Sequence, residues 1–277
     1  MFYSQKAREA LDKIEKGVEA LLNSDRWIEY LKFQAKFHGY SWGNCFLIRA
    51  QYPGATYVAG IKAWNRMGRH VKKGERGIAI LAPCFKKEKV ETEDGEVEEV
   101  KRLSGFRVAY VFDIKQTEGK PLPEAEVVEI VQGETELYTQ LKKICPFRIE
   151  EHDNLRGANG CFSGGIIKIL KSLPTAQKTK TLVHEWAHGL MHGDFAAKYD
   201  RRQIELEAES VAFSVCHVLG LDTSEYTFGY LAEWAGEDAI KILKQSADRI
   251  QKATHQILSD VEAATKQKAK NTLQQVM

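Results

Sequence analysis

One stretch of the sequence decides what the second half of the chain is expected to be: Leu182-Val183-His184-Glu185-Trp186-Ala187-His188. It has the form H-E-x-x-H. In a helix, His184 and His188 lie one turn apart on the same face, so both imidazoles can reach one metal ion. Glu185 follows the first histidine and can accept a proton from a water on that metal. The pattern is typical of zinc hydrolases, usually peptidases. We therefore predict Zn²⁺ as the cofactor, with Glu185 as the catalytic base.

The surroundings of the motif favour a metal over two incidental histidines. Residues 181–191 are largely apolar, which indicates a buried helix. Buried histidines and a buried glutamate would be costly without a partner, and a metal ion is the simplest partner. The alternative is an amphipathic helix that binds nothing.

A catalytic zinc ion needs a third protein ligand. Residues 201–213 have the apolar spacing of a second helix, on which Glu205 and Glu209 share a face while Glu207 points elsewhere. We predict that Glu205 is the third ligand and that Glu209 orients a ligating histidine. The reverse assignment is the alternative.

His192 lies four residues beyond His188. In the metzincin pattern the third histidine comes six residues after the second, beyond a glycine turn, so His192 fits that pattern poorly. We expect it to line the cleft or to end the helix, with a solvated histidine at the helix end as the alternative. Residues 162–169 are a candidate strand edge for an extended substrate. Tyr226, Tyr230 and His217 are candidate oxyanion donors.

Length and charge indicate two domains. The chain has 277 residues, of which 43% are hydrophobic and 28% charged, as in a soluble globular protein. Residues 1–123 contain 22 lysines and arginines against 16 acidic residues, whereas residues 124–277 contain 18 against 22. Pro121-Leu122-Pro123 is the best candidate linker. We predict an α+β protein with a small mixed α/β nucleic-acid-binding domain (1–123) followed by a domain that carries the H-E-x-x-H helix (124–277).

The sequence lacks the features of membrane and secreted proteins. No apolar run approaches the about 20 residues that span a bilayer, and the first residues lack the apolar segment of a signal peptide. The five cysteines are widely spaced without C-x-x-C, which favours reduced thiols. We expect a cytoplasmic protein without a membrane partner.

Basic and aromatic residues alternate in the first half. Seven basic residues and one acidic residue lie between positions 49 and 76. Lysines and arginines that follow phosphates, together with rings that stack on bases, are typical of single-stranded nucleic-acid binding. The candidate contacts are Tyr40, Trp42, Tyr57, Arg66, Arg69, Lys72, Lys73 and Arg76. Trp64 is expected in the core, and the alternative for the whole set is a solvated basic face.

Several motifs of the first half resemble those of the ArdC-type antirestriction proteins of conjugative plasmids and other mobile elements. They cover most of residues 25–123 and are Tyr40-Ser41-Trp42-Gly43-Asn44, Ala55-Thr56-Tyr57-Val58-Ala59-Gly60, Trp64-Asn65-Arg66-Met67-Gly68-Arg69, Val71-Lys72-Lys73-Gly74-Glu75-Arg76-Gly77-Ile78 and Val111-Phe112-Asp113-Ile114-Lys115-Gln116-Thr117. The resemblance implies a domain that binds single-stranded DNA, and it adds Asn44 to the predicted contacts.

The second half is similar to the zincin-like domain of the same family, which is related to the ImmA/IrrE metallopeptidases. The matching residues are the H-E-x-x-H motif and Glu205-x-x-Ala208-Glu209. Relatives often have Asn or Asp at the position of Glu209, which favours Glu205 as ligand. The resemblance implies a zinc-dependent peptidase fold and protection of incoming DNA from restriction.

Three hypotheses follow for the function. The first is an antirestriction protein that binds single-stranded DNA and whose zinc peptidase cleaves an unknown protein substrate. The second is a DNA-binding antirestriction protein whose zincin domain is catalytically silent and docks a partner. The third is a peptidase of the ImmA kind that cleaves a specific regulator.

Overall fold

The structure is a computed structural model that describes residues 5–91, 97–121, 134–193, 200–226, 228 and 237–276. Within these residues the helices are α1 (Gln5–Val18), α2 (Ser24–Lys36), α3 (Trp42–Gln51), α4 (Ile61–Arg66), α5 (Glu134–Ile144), α6 (Thr175–Met191), α7 (Arg201–Val218) and α8 (Glu237–Val276). The strands are β1 (Val58–Ala59), β2 (Arg69–Val71), β3 (Ile78–Glu91), β4 (Val97–Asp113), β5 (Thr117–Gly119), β6 (Arg148–His152), β7 (Gly160–Ser163) and β8 (Ile166–Leu170). Short 3₁₀ helices cover Glu19–Leu22 and Ile114–Gln116.

The chain packs as two compact units with a mixed α/β content. Unit 1 contains residues 1–19 and 43–122, and unit 2 contains residues 20–42 and 123–277. Helix α2, which the sequence assigns to the N-terminal domain, therefore packs with unit 2. The predicted domains 1–123 and 124–277 stay a prediction, and the linker proposed at 121–123 lies largely outside the described residues.

Unit 1 is built on an antiparallel sheet with the strand order β1-β4-β3. The long β3–β4 hairpin runs from the pair Ile78–Val111 to the pair Glu91–Val97, with a bulge at Cys84/Phe85. Strands β2 and β5 form a separate antiparallel pair. Trp64 is fully buried in the core, as predicted.

Unit 2 contains a sheet with the order β6-β8-β7, in which β8 is parallel to β6 and antiparallel to β7. Helix α6 packs on β7 and β8 and also against α7, while α7 packs on α2 and α8. Trp27 of α2 is fully buried, and its indole N–H donates to the Ser210 hydroxyl of α7. The sheet and the helix pair α6–α7 position the site described below.

Local sequence signals explain where several helices begin. The Asn23 side chain accepts from the N–H of Arg26 as the N-cap of α2. Pro174 precedes the first residue of α6, Thr175. All five cysteines are free thiols, as expected. Among the described helices, none combines the length and apolar character that crossing a membrane requires.

Candidate metal centre

The H-E-x-x-H motif lies in the second half of α6, as the sequence predicted. Leu182, Val183 and Trp186 are fully buried and fix one face of the helix in the core. This arrangement leaves His184 and His188 on the face that is turned towards α7, where the acidic residues of that helix approach them.

Three side-chain atoms converge between the two helices. The Nε2 atoms of His184 and His188 are 3.0 Å apart, and Oε2 of Glu205 lies 3.5 Å from the first and 3.8 Å from the second. Atoms bound to one tetrahedral zinc with bonds of about 2.1 Å lie about 3.4 Å apart. The two imidazoles and the carboxylate therefore fit a metal ion in donor type and in spacing.

Glu209 lies behind the first histidine. Its Oε2 is 3.1 Å from Nδ1 of His184, the ring nitrogen that faces away from the three converging atoms. A carboxylate in this place fixes the tautomer and the orientation of a ligating imidazole. The geometry thus has Glu205 among the converging atoms and Glu209 behind them, which is the predicted order. That these side chains bind metal stays a prediction.

The electrostatics of the cluster favour a cation. Burial acts to lower the pKa of His184, but hydrogen bonds with Glu205 and Glu209 outweigh burial and raise that pKa to about 10. The hydrogen bonds with His184 and His188 hold the pKa of Glu205 well below its usual range. Negative charge is therefore concentrated where the imidazoles meet.

Glu185 is buried against the outer strand β7. Burial raises the pKa of its carboxyl group, and the backbone N–H of Phe162 donates to it. A side chain at Gly160 could not be accommodated without movement, because its Cβ would lie 2.5 Å from Thr181 Cγ2 and 3.1 Å from the Glu185 side chain. Because residue 160 is a glycine, β7 can pack directly against the side chain of Glu185, the predicted base.

Two clefts flank the cluster, and Gly160, His184 and Glu185 line both of them. The first has a volume of about 370 Å³ and is mainly polar, with Asn159, Gln177, Lys180 and Glu225 in its wall. The second has a volume of about 650 Å³ and includes Cys161, Phe162, Ile204 and Arg201. Asn159 and Gly160 line the first cleft and Gly160, Cys161 and Phe162 line the second, so both clefts border β7.

His192 is buried, so its reading as a solvated histidine is wrong. It lines the second cleft at the end of α6 and is only 3% exposed. Its ring contacts His188 on one side and Glu207 on the other. Glu207 is fully buried, and no role for it could be predicted from the sequence, because its partner Arg249 lies 42 residues further along the chain.

Neither Tyr226 nor His217 presents a donor to the converging atoms. The Tyr226 hydroxyl points to Cys216 Sγ at 4.0 Å and is buried, although the residue lines the first cleft. His217 stacks on Phe213 and lines neither cleft. Tyr230 lies outside the described residues.

The predicted DNA contacts of unit 1 fall into two groups. Five of them are exposed, namely Tyr57, Arg66, Lys72, Lys73 and Arg76. Two others form hydrogen bonds within the fold. The amide of Asn44 donates to the carbonyl of Leu81 and accepts from its N–H, which joins α3 to β3. The guanidinium of Arg69 donates to the carbonyl and hydroxyl oxygens of Thr117, which joins β2 to β5.

Asp113 and Gln116 hold the loops that carry the exposed basic residues. Asp113 is fully buried and accepts from the backbone N–H groups of Thr56 and Tyr57. The Gln116 amide donates to the carbonyl oxygen of Arg76. Both residues belong to one of the motifs quoted above, so a network at the end of β4 determines the course of these loops.

Tyr40 and Trp42 lie in unit 2, apart from the other predicted contacts. Both are half-buried, and the Trp42 carbonyl accepts from the Tyr30 hydroxyl. The predicted DNA-binding set is therefore divided between the two units.

Comparison with known proteins finds a similar family for the first half of the chain. Residues 2–112 match the model of the N-terminal domain of anti-restriction factor ArdC. An uncharacterised protein of Bacillus anthracis is 27% identical over 281 residues, which cover 84% of this chain and 48% of that protein. The chain thus spans about half the length of this curated relative.

Two solved structures are similar in outline. The metal-free structure of the antirestriction protein ArdC from plasmid R388 matches with a TM-score of 0.48 and 23% identity, covering 80% of this chain and 84% of that one. The Mn(II)-bound structure of the same protein matches with a TM-score of 0.45 and 18% identity, covering 83% and 97%. The similarity of this chain to the N-terminal domain of ArdC thus extends over residues 2–112.

Proposed function

We propose that this chain is an antirestriction protein that binds single-stranded DNA through unit 1 and hydrolyses a peptide bond at a metal-dependent, zincin-like site in unit 2. The observation that carries the proposal is the convergence of His184, His188 and Glu205 within 3.8 Å of one another. Glu185 lies on the same helix beside the edge of β7, so a base and a strand edge accompany the metal-binding atoms.

Each side chain has a distinct role in this proposal. His184, His188 and Glu205 would hold Zn²⁺, which when bound polarises a carbonyl and makes a water acidic enough to attack it. Glu185 accepts the proton of that water, and its buried position with a raised pKa suits it to pass the proton on to the leaving amine. The backbone of β7 pairs with an extended substrate and aligns it with Glu185.

The donor set favours zinc over manganese. Two imidazoles and one carboxylate are the ligands of known catalytic zinc sites, and such sites bind Mn²⁺ more weakly than Zn²⁺. The ArdC of plasmid R388 has been crystallised with Mn(II). Binding to the site should therefore be measured with Zn²⁺ and with Mn²⁺.

Single-stranded DNA binding is proposed from the surface of unit 1. Arg66, Lys72, Lys73 and Arg76 are exposed and can reach phosphates, and Tyr57 is 48% exposed and can stack on a base. The ring of Tyr57 is supported edge-on by the buried Trp64 at 5.5 Å between centroids.

A Glu185→Gln substitution tests the hydrolytic part of the proposal. Incubation with a mixture of cellular peptides, followed by mass spectrometry, should show cleavage by the zinc-loaded chain and none by Glu185→Gln, which retains zinc. Equal cleavage by both proteins would refute the role of Glu185. If neither cleaves and Glu185→Gln still protects DNA from restriction, the silent-zincin hypothesis is correct.

A gel-shift series tests the DNA-binding part. Replacing Lys72, Lys73 and Arg76 together by alanine should weaken binding to a single-stranded oligonucleotide and reduce the salt dependence of log K by about 0.7 for each lost phosphate contact. The control replaces Lys89 and Lys101 on the β3–β4 hairpin. A wild-type chain that shifts no oligonucleotide would favour the regulator-cleaving hypothesis.

A further inference from the structure

A line of buried polar groups runs from the back of His188 into the core of unit 2. Nδ1 of His188 lies 3.2 Å from Nδ1 of His192, and Nε2 of His192 lies 3.0 Å from Oε2 of Glu207. His192 is 3% exposed and Glu207 is fully buried. The contact with His188 uses the ring nitrogen that faces away from Glu205.

Helices α7 and α8 hold the Glu207 carboxylate from several sides. It accepts from the Ser246 hydroxyl at 2.7 Å, from the Gln203 amide at 3.0 Å and from Arg249 Nε at 2.8 Å. Arg249 also forms an ion pair with this carboxylate. The carboxylate is therefore an acceptor whose position is fixed by two helices.

The same contacts orient the ring of His188. The Glu207 carboxylate is held by donors of α7 and α8, and His192 lies between this carboxylate and Nδ1 of His188. With Nδ1 of His188 in contact with His192, its Nε2 faces His184 and Glu205.

We propose that His192 and Glu207 are positioning residues that fix the ring orientation of His188. Helix α8 thereby contributes to the metal centre without contacting the metal. The inference rests on the proposed metal site and extends it: His184 is oriented by Glu209, and His188 by the pair His192–Glu207. Loss of such an outer partner typically lowers metal affinity roughly 10- to 100-fold.

Three variants separate this role from general packing. His192→Phe fills the same space but removes both ring nitrogens. His192→Gln restores one acceptor and one donor, as in the neutral imidazole. The control is Thr179→Val, because Thr179 is buried in α6 and its hydroxyl, among the described residues, donates to the Thr175 carbonyl of the same helix. Zinc affinity is measured by competition with a chromophoric chelator, and the visible spectrum of the Co²⁺-loaded protein reports ligand geometry.

We expect His192→Phe to lose roughly 10- to 100-fold in zinc affinity and to alter the Co²⁺ spectrum. His192→Gln should recover most of that loss, and Thr179→Val should have the zinc affinity and the Co²⁺ spectrum of the wild type.

A zinc affinity of His192→Phe within about twofold of the wild type would overturn the proposal. An equal loss of zinc affinity in Thr179→Val would overturn it as well. Should His192→Phe not fold, the nearly isosteric Glu207→Gln replaces it, with the same expected direction and the same refuting result. A wild-type chain that binds no metal would refute the metal site itself, which is a different outcome from unaffected variants.

Discussion

The sharpest prediction concerns the two carboxylates of α7, Glu205 and Glu209. They lie one helical turn apart and differ in what they contact: Glu205 reaches the Nε2 atoms of both histidines, whereas Glu209 reaches only Nδ1 of His184. Alanine substitutions remove one carboxylate at a time without interrupting the helix, because alanine is the best helix former. Both side chains are partly exposed, so neither substitution leaves a closed cavity.

The structure sets different magnitudes for the two changes. Glu209→Ala removes the partner of a ligand and should lower zinc affinity roughly 10- to 100-fold, or about 1.4–2.8 kcal/mol. Glu205→Ala removes one of three protein ligands and should lower zinc affinity by more than about 100-fold. It also removes the main hydrogen bond that raises the pKa of His184, so protons compete more weakly with the metal in this variant. The weaker competition from protons should raise zinc affinity by much less than the loss of a ligand lowers it.

The assay is a chelator competition at fixed pH and ionic strength. Glu29→Ala is the matched control, because Glu29 is an exposed glutamate of α2 that pairs with Lys32. We expect the order of affinity to be wild type and Glu29→Ala, then Glu209→Ala, then Glu205→Ala. A larger loss in Glu209→Ala than in Glu205→Ala would refute the assignment of the third ligand and favour the reverse one.

Three further substitutions probe packing and charge. Gly160→Ala brings a Cβ to 2.5 Å from Thr181 Cγ2. It should lower the free energy of unfolding, measured in urea, by about 1–3 kcal/mol. The double variant Gly160→Ala/Thr181→Ser, which lacks that methyl group, should recover most of this loss. Asp113→Ala leaves three backbone N–H groups without their acceptor and should lower Tm by roughly 5 °C, as followed by circular dichroism. Lysine partners, first Lys178, lower the pKa of Glu151 from 4.5 to about 2, so its stabilisation is present above about pH 4.5 and lost as the pH falls to about 2. Glu151→Gln should therefore be about 1 kcal/mol less stable at pH 7 and equal to the wild type near pH 2.

Each of these predictions has a contradicting result. If Thr181→Ser does not restore the stability of Gly160→Ala, the lost stability does not come from contact with the Thr181 methyl group. An unchanged Tm in Asp113→Ala would show that water replaces the lost acceptor, and an exposed control, Glu118→Ala, sets the baseline. A difference between Glu151→Gln and the wild type that persists at pH 2 would exclude the ion pairs as its cause.

Short-range patterns in the sequence account for the part of the structure that was predicted. The H-E-x-x-H spacing, the apolar periodicity of α6 and α7 and the cap at Asn23 are all set within a few residues, so they can be interpreted without tertiary information. The burial of Trp64 was predictable for a similar reason, since it lies in α4, the short helix that follows β1. These signals were sufficient to bring together His184, His188 and Glu205.

Interactions between distant residues account for what was missed. Asn44 and Arg69 have the residue types of DNA contacts, but Leu81 and Thr117 engage them, and nothing local indicates those partners. The role of Glu207 depends on α8, which begins 30 residues later. The packing of α2 in unit 2 likewise depends on α7 and α8 rather than on its own sequence.

Metal content is the measurement that tests the central claim most directly. We expect the purified chain, after dialysis against metal-free buffer containing a trace of Zn²⁺, to contain about one zinc ion per molecule, bound by two histidines and a glutamate. His184→Ala, with an unchanged circular dichroism spectrum, should contain almost none. A wild-type chain without stoichiometric metal, or a His184→Ala variant that retains it, would contradict the account of the site in unit 2.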